Sequence, residues 1–292
     1  MLHDAHNHLQ DEALAPHLDR IAATWDPARF GFMIVNGTCE ADWPRVTALA
    51  QRYPFVRPSY GLHPWDAGDR SPDWFDILKT HLDAHPHAAV GEIGLDRWIL
   101  DSAHPDDPRL SGQRRAPLPE QSEVFLKQLA LACTKNRPVT LHCLRAWGAL
   151  SEIIARVNLP ERGFLLHAYA GPAELVSPFA KRGAYFSFNA HFLEDAPTPF
   201  CHLISDKLSK KSRLETFKTI PLDRLLVETD APAMIPPQLW RTHTLPPAHD
   251  GFGVNHPGNI ESAYAGLASL LGISAAELTS QVDANFHHFF SC

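Results

Sequence analysis

Residues 88–93 read Ala88-Ala89-Val90-Gly91-Glu92-Ile93, a short apolar run that carries one carboxylate near its end. Burying an unpaired carboxylate is costly unless a metal or cation compensates it, so Glu92 marks a strand that ends in chemistry. The same grammar recurs on both sides. Pro138-Val139-Thr140-Leu141 ends on His142, Phe164-Leu165-Leu166 ends on His167, and Leu225-Leu226-Val227-Glu228-Thr229 is followed by Asp230. Toward the N-terminus, Asp4-Ala5-His6-Asn7-His8 carries imidazoles at i and i+2, which an extended chain turns to one side. Candidate strands therefore lie at 2–8, 32–37, 55–62, 88–93, 138–143, 163–168, 184–189 and 225–229, with helix-like stretches between most of them. Eight strands alternating with helices close most economically into an α/β fold of the (β/α)8 TIM-barrel type, with an open doubly wound sheet as the competing arrangement.

The stretches between strands carry their own signals. Phe125, Leu126, Leu129 and Ala132 repeat at helical spacing and should stop just before Pro138. Ser274-Ala275-Ala276-Glu277 has the spacing of a capping box, so a last helix should begin around Ala275. Residues 97–119, 191–206 and 233–256 fit no helix and read as long strand-to-helix loops around the active-site face of the barrel. A chain of 292 residues, 45% hydrophobic and 20% charged, can bury a full core, and a single domain over 1–292 is expected.

A net charge of −7 argues against coating nucleic acid through bulk positive charge, so any phosphate binding must come from a local patch or from metals. No apolar run approaches the roughly 18 residues of a membrane span, and the N-terminus has no signal-peptide pattern. Five scattered cysteines without C-x-x-C spacing suit reduced thiols, and a cytoplasmic enzyme is expected.

His6, His8, Glu92, His142, His167 and Asp230 all fall at the carboxyl ends of candidate strands, where a barrel places its chemistry. Six ligands exceed the needs of one tetrahedral ion and favour two divalent ions about 3.5–4 Å apart, with Glu92 as the bridge and hydrolysis as the reaction class. Four imidazoles and two carboxylates suit Zn, Mn, Fe or Co better than Mg. His63, in Tyr60-Gly61-Leu62-His63-Pro64-Trp65, is not needed by either ion and is assigned to the substrate or to orienting a ligand. Arg145 either clamps a phosphate or pairs on the surface. The basic residues Lys207, Lys210, Lys211 and Arg213, and Arg109, Arg114 and Arg115, read first as solvated faces and second as phosphate tracks. Trp98 and Trp240 either pin their loops or stack on bases. The remaining histidines are given no role, with His81, His85 and His87 read as solvated.

Taken together, Asp4-Ala5-His6-Asn7-His8, Gly61-Leu62-His63-Pro64, Gly91-Glu92-Ile93-Gly94-Leu95-Asp96, Pro138-Val139-Thr140-Leu141-His142, His167-Ala168-Tyr169-Ala170-Gly171 and Leu226-Val227-Glu228-Thr229-Asp230-Ala231-Pro232 resemble, in order and spacing, the TatD family of metal-dependent deoxyribonucleases. The resemblance covers nearly the whole chain. It implies that His6, His8, Glu92 and Asp230 hold one ion and Glu92, His142 and His167 the other, with Asp230 able to take a proton from the attacking water. It further implies hydrolysis of DNA phosphodiesters, often from a 3′ end, with Mg among the usable metals and DNA, as single strands or 3′ ends, as the partner.

The chain departs from the family pattern in three places. The link after Asp96 is longer, the region after Asn189 lacks a Thr-Phe pair, and Gly253-Val254-Asn255-His256-Pro257 stands where Arg-Asn-x-Pro is usual. Two other classes remain in view at this level. An amidohydrolase-like enzyme on a small phosphoester, lactone or cyclic amide would activate water the same way, but commonly bridges its metals with a carboxylated lysine. A non-catalytic, metal-stabilised binding protein would need no room for water.

Overall fold

Every apolar run named above is a strand. The computed structural model describes residues 1–104, 106–193, 210–248 and 251–290, and in it β1 (Leu2–Asn7), β2 (Phe30–Asn36), β3 (Val56–Tyr60), β4 (Ala89–Asp96), β5 (Val139–Leu144), β6 (Phe164–Leu166), β7 (Ala184–Asn189) and β8 (Leu225–Glu228) pair in parallel in sequence order. Sequential order without reversal excludes the doubly wound sheet, whose strand order must reverse at a switch point. The seam between first and last strands is joined just beyond β8: Asp230 N–H donates to His6 O at 2.9 Å, and His8 N–H to Ala231 O at 2.7 Å. The result is a (β/α)8 barrel.

Helices follow the strands on the outside: α1 (Leu18–Thr24), α2 (Trp43–Arg52), α3 (Trp74–Ala84), α4 (Trp98–Asp101), α5 (Leu118–Lys135), α6 (Trp147–Arg156), α7 (Val176–Lys181), α8 (Lys210–Phe217), α9 (Ile260–Leu271) and α10 (Ala275–Phe290). Covered by helices outside and side chains inside, strands β4, β7 and β8 are buried along their whole length, which is why their runs lack polar alternation. Helix α5 ends two residues before Arg137-Pro138, with Asn136 in the left-handed conformation (φ 47°). Helix α10 begins at Ala275, where Ser274 Oγ accepts the Glu277 N–H at 3.1 Å. Among the described residues, no helix is long and apolar enough to cross a membrane.

Helix α5 also sets the catalytic rim. Its buried Gln128 accepts from Leu62 N–H (2.7 Å) and donates to Leu62 O (3.0 Å), while Gln121 does the same to Asp96 (2.8 and 2.9 Å). One amide satisfies a backbone pair just past the end of β3 and the other at the last residue of β4, fixing the segments that carry His63 and Asp96.

The expected loops need revision. Residues 97–119 are not a plain loop: they hold α4 and a 3-10 turn at Pro108–Leu110, because Trp98, Ile99 and Leu110 form a satellite apolar cluster with Trp65 and Leu144. The 191–206 stretch opens with a 3-10 turn at Ala190–Phe192, and its residues 194–206 lie outside the described residues. The described residues of the 233–256 stretch are irregular apart from a turn at Gln238–Trp240, and a further turn, Pro257–Asn259, leads into α9. Strand ends also shift: β3 stops at Tyr60, and β6 at Leu166, leaving His63 and His167 just past the ladder where the chain turns.

Asp4 holds the seam from the side-chain level. Its carboxylate accepts from Thr229 N–H (2.9 Å), Thr229 Oγ1–H (2.5 Å) and Asn7 Nδ2–H (3.0 Å), all inside the protein. Asp4→Ala leaves these donors unpaired and should lower the unfolding free energy by about 3 kcal/mol or more. Denaturant titration of the metal-stripped protein reads this directly; a change below about 1 kcal/mol would remove Asp4 from the closure.

Candidate metal centre

Glu92 lies near the middle of the rim with its two oxygens facing different groups. Oε2 is 3.4 Å from His6 Nε2 and 3.3 Å from His8 Nε2, and both nitrogens lie 3.4–3.5 Å from Asp230 Oδ1. Oε1 is 2.9 Å from His142 Nδ1, 2.8 Å from His167 Nε2 and 3.4 Å from His63 Nε2. One carboxylate thus touches two clusters of donors, His6/His8/Asp230 on one side and His63/His142/His167 on the other. All six residues that the sequence marks as candidate ligands meet in one place at the rim, His8 and His142 half-buried and the others buried.

Local structure delivers them. Strand β4 approaches β5 so closely at Gly94 that a Cβ there would lie 2.0 Å from the His142 carbonyl, so glycine is required for the two ligand strands to sit side by side. At the ends of β5, β6 and β8 the chain bends through positive φ at Arg145 (57°), Ala168 (41°) and Asp230 (52°), conformations that side chains adopt only under external constraint. For Asp230 that constraint is the seam.

The opposite ring nitrogens decide which atoms can be ligands. His8 Nδ1 donates to Asn36 O at 2.8 Å, leaving Nε2 with a free lone pair toward the cluster. His142 Nε2 donates to Asp96 Oδ2 at 3.1 Å, freeing Nδ1. His167 Nδ1 faces Glu228 Oε1 at 3.6 Å, and Ser187 Oγ holds the other Glu228 oxygen. His6 is held instead by stacking on His167, with centroids 4.1 Å apart. A carboxylate or carbonyl behind a histidine is the usual way to orient a metal ligand, and the donor set fits divalent ions. His63 differs. Its Nδ1 accepts the Trp65 N–H at 3.2 Å, so the neutral ring carries its proton on Nε2 and presents a donor, not a lone pair, to the centre.

Without metal, the charges shift one another strongly. Burial works against the charged forms of His8, His142 and His167, yet the surrounding carboxylates more than offset it. His142 rises to about 9, and His8 and His167 rise well above the ordinary imidazole value. Burial pushes His6 and His63 down. For Glu92 burial is outweighed by His167, His63 and His6, which hold it well below the usual carboxylate range.

Arg145 sits half-buried three residues past His142 and donates to Ser102 Oγ in the 97–119 insertion. The arginines of that insertion act as staples. Arg109 lies over Trp65 (5.5 Å) and Trp98 (5.1 Å), Arg114 pairs with Glu120 at 2.7 Å, and Arg115 donates to Ile99 O and His104 O. Trp98 is buried in the satellite cluster and pins the loop, and Trp240 is half-buried. Arg213 is buried against Phe192; Lys207 lies outside the described residues. His81 is not solvated: its ring packs on Tyr60 (4.9 Å) and Trp43 (5.7 Å), because α3 covers β3 there. His85 is half-buried and bonds back to His81 O, while His87 is exposed.

Three residues that support the centre carried no role in the sequence reading. Asp96 orients His142 and also accepts Trp65 Nε1–H at 2.5 Å; Glu228 and Ser187 stand behind His167. Glu228 had a legible signal, a carboxylate closing the apolar run Leu225-Leu226-Val227, the same one that exposed Glu92.

A family model described as TatD related DNase matches residues 3–291. The chain is 30% identical over 238 residues to the uncharacterized metal-dependent hydrolase YabD of Bacillus subtilis, covering 81% of this chain and 82% of that protein. It is 26% identical over 273 residues to the 3′-5′ ssDNA/RNA exonuclease TatD of Enterobacter lignolyticus, covering 93% and 92%. The crystal structure of YJJV, a TatD homolog from Escherichia coli, superposes with a TM-score of 0.79 at 25% identity over 100% of this chain and 98% of that one.

Divalent ions must displace the protons that the metal-free site keeps on His8, His142 and His167 at neutral pH. Because His142 holds its proton up to about 9, apparent metal affinity should climb as pH rises from 7 to 9 and fall as pH drops below 7, with protons released on binding. Calorimetric titration of stripped protein in buffers of different ionisation enthalpy checks this. Affinity independent of pH over that range would contradict the protonated site.

Proposed function

The chain belongs to the family of TatD related DNases, and from that premise we propose that it is a metal-dependent nuclease that removes nucleotides from the 3′ end of single-stranded DNA. The observation that carries the reading is Glu92, whose two oxygens each face a separate set of ligand atoms. In this proposal His6, His8, Glu92 and Asp230 hold one divalent ion, and Glu92, His142 and His167 a second. Zn, Mn, Fe or Co suits the imidazole-rich set, with Mg usable as in the family. Such a pair supplies Lewis acidity toward a phosphoryl oxygen and lowers the pKa of water at the site.

The chain's own groups do the rest. Burial opposes ionisation of Asp230, but the hydrogen bond from His8 and the nearby His6 and His167 outweigh it and keep the carboxylate charged. It is therefore poised to accept the proton of the attacking water. His63 Nε2–H donates to a phosphoryl oxygen or to the leaving oxygen, a role its tautomer fits and ligation does not. Arg145, half-buried three residues past His142, takes the neighbouring phosphate contact. Cys39 and Cys133 are free thiols, which suits work in a reducing cytosol.

Metal-stripped protein should leave labelled single-stranded DNA intact, and resupply of Mn, Co, Zn or Mg should restore loss of the 3′ label before the 5′ label. Glu92→Gln should reduce that rate by about two orders of magnitude or more, since even partners behind a ligand are worth 10–100-fold. Cleavage by stripped protein, or no DNA cleavage with any of the four metals, sinks the proposal.

A further inference from the structure

Away from the metal ligands, one buried histidine has no partner for its proton. His256 is 1% exposed, and its Nδ1 accepts the Gly258 N–H at 2.8 Å, so the proton of the neutral ring is on Nε2. That Nε2 is buried with no hydrogen-bond partner. A buried donor without an acceptor is rare, and it points to something that is to be bound there. The ring stacks on His243 with centroids 4.8 Å apart, and the turn Pro257–Asn259 beside it packs on α1, which carries Arg20 and is preceded by His17. Burial and then His243, Arg20 and His17 pull His256 down to about 4. The ionisable groups acting on it are all bases.

Arg20 is exposed and forms no ion pair among the described residues. The scaffold holding His243 is fixed: Asn259 Oδ1 accepts from Thr242 N–H (3.0 Å) and His243 N–H (2.8 Å), and Asn259 Nδ2 donates to His243 O at 3.0 Å. The cluster is tied to the rim through its neighbour. Asn255 N–H donates to Pro232 O at 2.8 Å, and Asn255 Nδ2 to Thr229 O at 3.0 Å, the residue just before Asp230. All four basic residues follow the carboxyl ends of β1 or β8, the strands that supply His6, His8 and Asp230.

We propose that His256, His243, His17 and Arg20 form an oxyanion site for a phosphate group, with the His256 Nε2–H as its buried donor and the Arg20 guanidinium as its charge. In the nuclease reading, on which this part rests, the group is a backbone phosphate of the strand whose end lies at the metal centre. On a chain of net charge −7, a group of bases without acidic partners is where a polyanion gains a local hold.

Two measurements test this. Metal-stripped protein titrated with inorganic phosphate should bind it, and Arg20→Ala and His256→Gln should each weaken binding at least about fivefold, a modest share of a charge-assisted contact. In the metal-loaded enzyme the same variants should raise KM for a single-stranded hexanucleotide about tenfold and change kcat less than twofold. Thermal midpoint and metal content identify a variant that has lost its fold, and the other variant then carries the test. Phosphate binding equal in wild type and both folded variants overturns the site. Weakened phosphate binding with unchanged KM for the hexanucleotide overturns the backbone-phosphate assignment. A protein inert on DNA with every metal, in which the variants still weaken phosphate binding, overturns the nuclease reading and supports the oxyanion site.

Discussion

A carboxylate buried among five imidazoles is the constraint on which this structure turns. Glu92 is 3% exposed and cannot be hydrated; its charge survives because His6, His8, His63, His142 and His167 face it within 3.4 Å. Those rings come from four different segments of chain, so the barrel has to bring the ends of β1, β4, β5 and β6 and the segment after β3 into one place before the charge is tolerable. Removing one partner from such a cluster leaves uncompensated charge in the interior, which is far more costly than the pairing is stabilising. The centre therefore constrains the fold as firmly as the fold builds the centre.

The supports behind the ligands show how that tolerance is achieved without losing reactivity. Asp96 and the Asn36 carbonyl each take the proton of one ring nitrogen, of His142 and His8, and Glu228 lies 3.6 Å behind His167 Nδ1, so that the opposite nitrogen of each ring can turn to a bound ion once its own proton is lost. Asp96 is itself fixed by Gln121 from α5 and by Trp65 from the segment after β3. A position on the outer helix is in this way connected to a ring nitrogen at the centre through two hydrogen bonds. His63 shows the reverse use of the same device: an acceptor role at Nδ1 turns its inner face into a donor.

Much of this was legible in the residues. A carboxylate or imidazole closing an apolar run revealed Glu92, His142, His167 and Asp230, and i, i+2 spacing revealed His6 and His8, because a strand end in a barrel has one direction in which to point. What stayed hidden depends on chain segments meeting at a distance. Asp4 pairs with Thr229 across the seam, and Asp96 is reached by Trp65, relations that no local period encodes. The insertion after Asp96 read as a loop because its prolines break periodicity, while its order comes from Trp65, Trp98 and Arg109 packing on one another. Likewise His17, His243 and His256 carried no signal, since they form a cluster only once the fold brings His17 to two histidines that lie more than two hundred residues further along the chain.

The satellite cluster of Trp98, Ile99 and Leu110 bears on how such a rim can vary. It is separate from the barrel core, with Trp65, Ala103 and Leu144 packed against it. A rim built on a separate small core can change its outline without disturbing the strands that hold Glu92. Two contacts limit that freedom: Trp65, packed on the cluster, donates to Asp96 Oδ2 at 2.5 Å, and Ile99 N–H donates to Asp96 Oδ1 at 3.2 Å, the carboxylate that orients His142. Changes in the insertion that leave Trp65 and Ile99 in place act first on the walls of the site, whereas changes that move either one reach the carboxylate behind His142. The rim and the candidate metal centre are thus joined through Asp96, which Trp65 and Ile99 reach from the satellite cluster, and through Arg145, three residues past His142, which donates to Ser102, so the outline of the rim and the geometry at His142 are coupled.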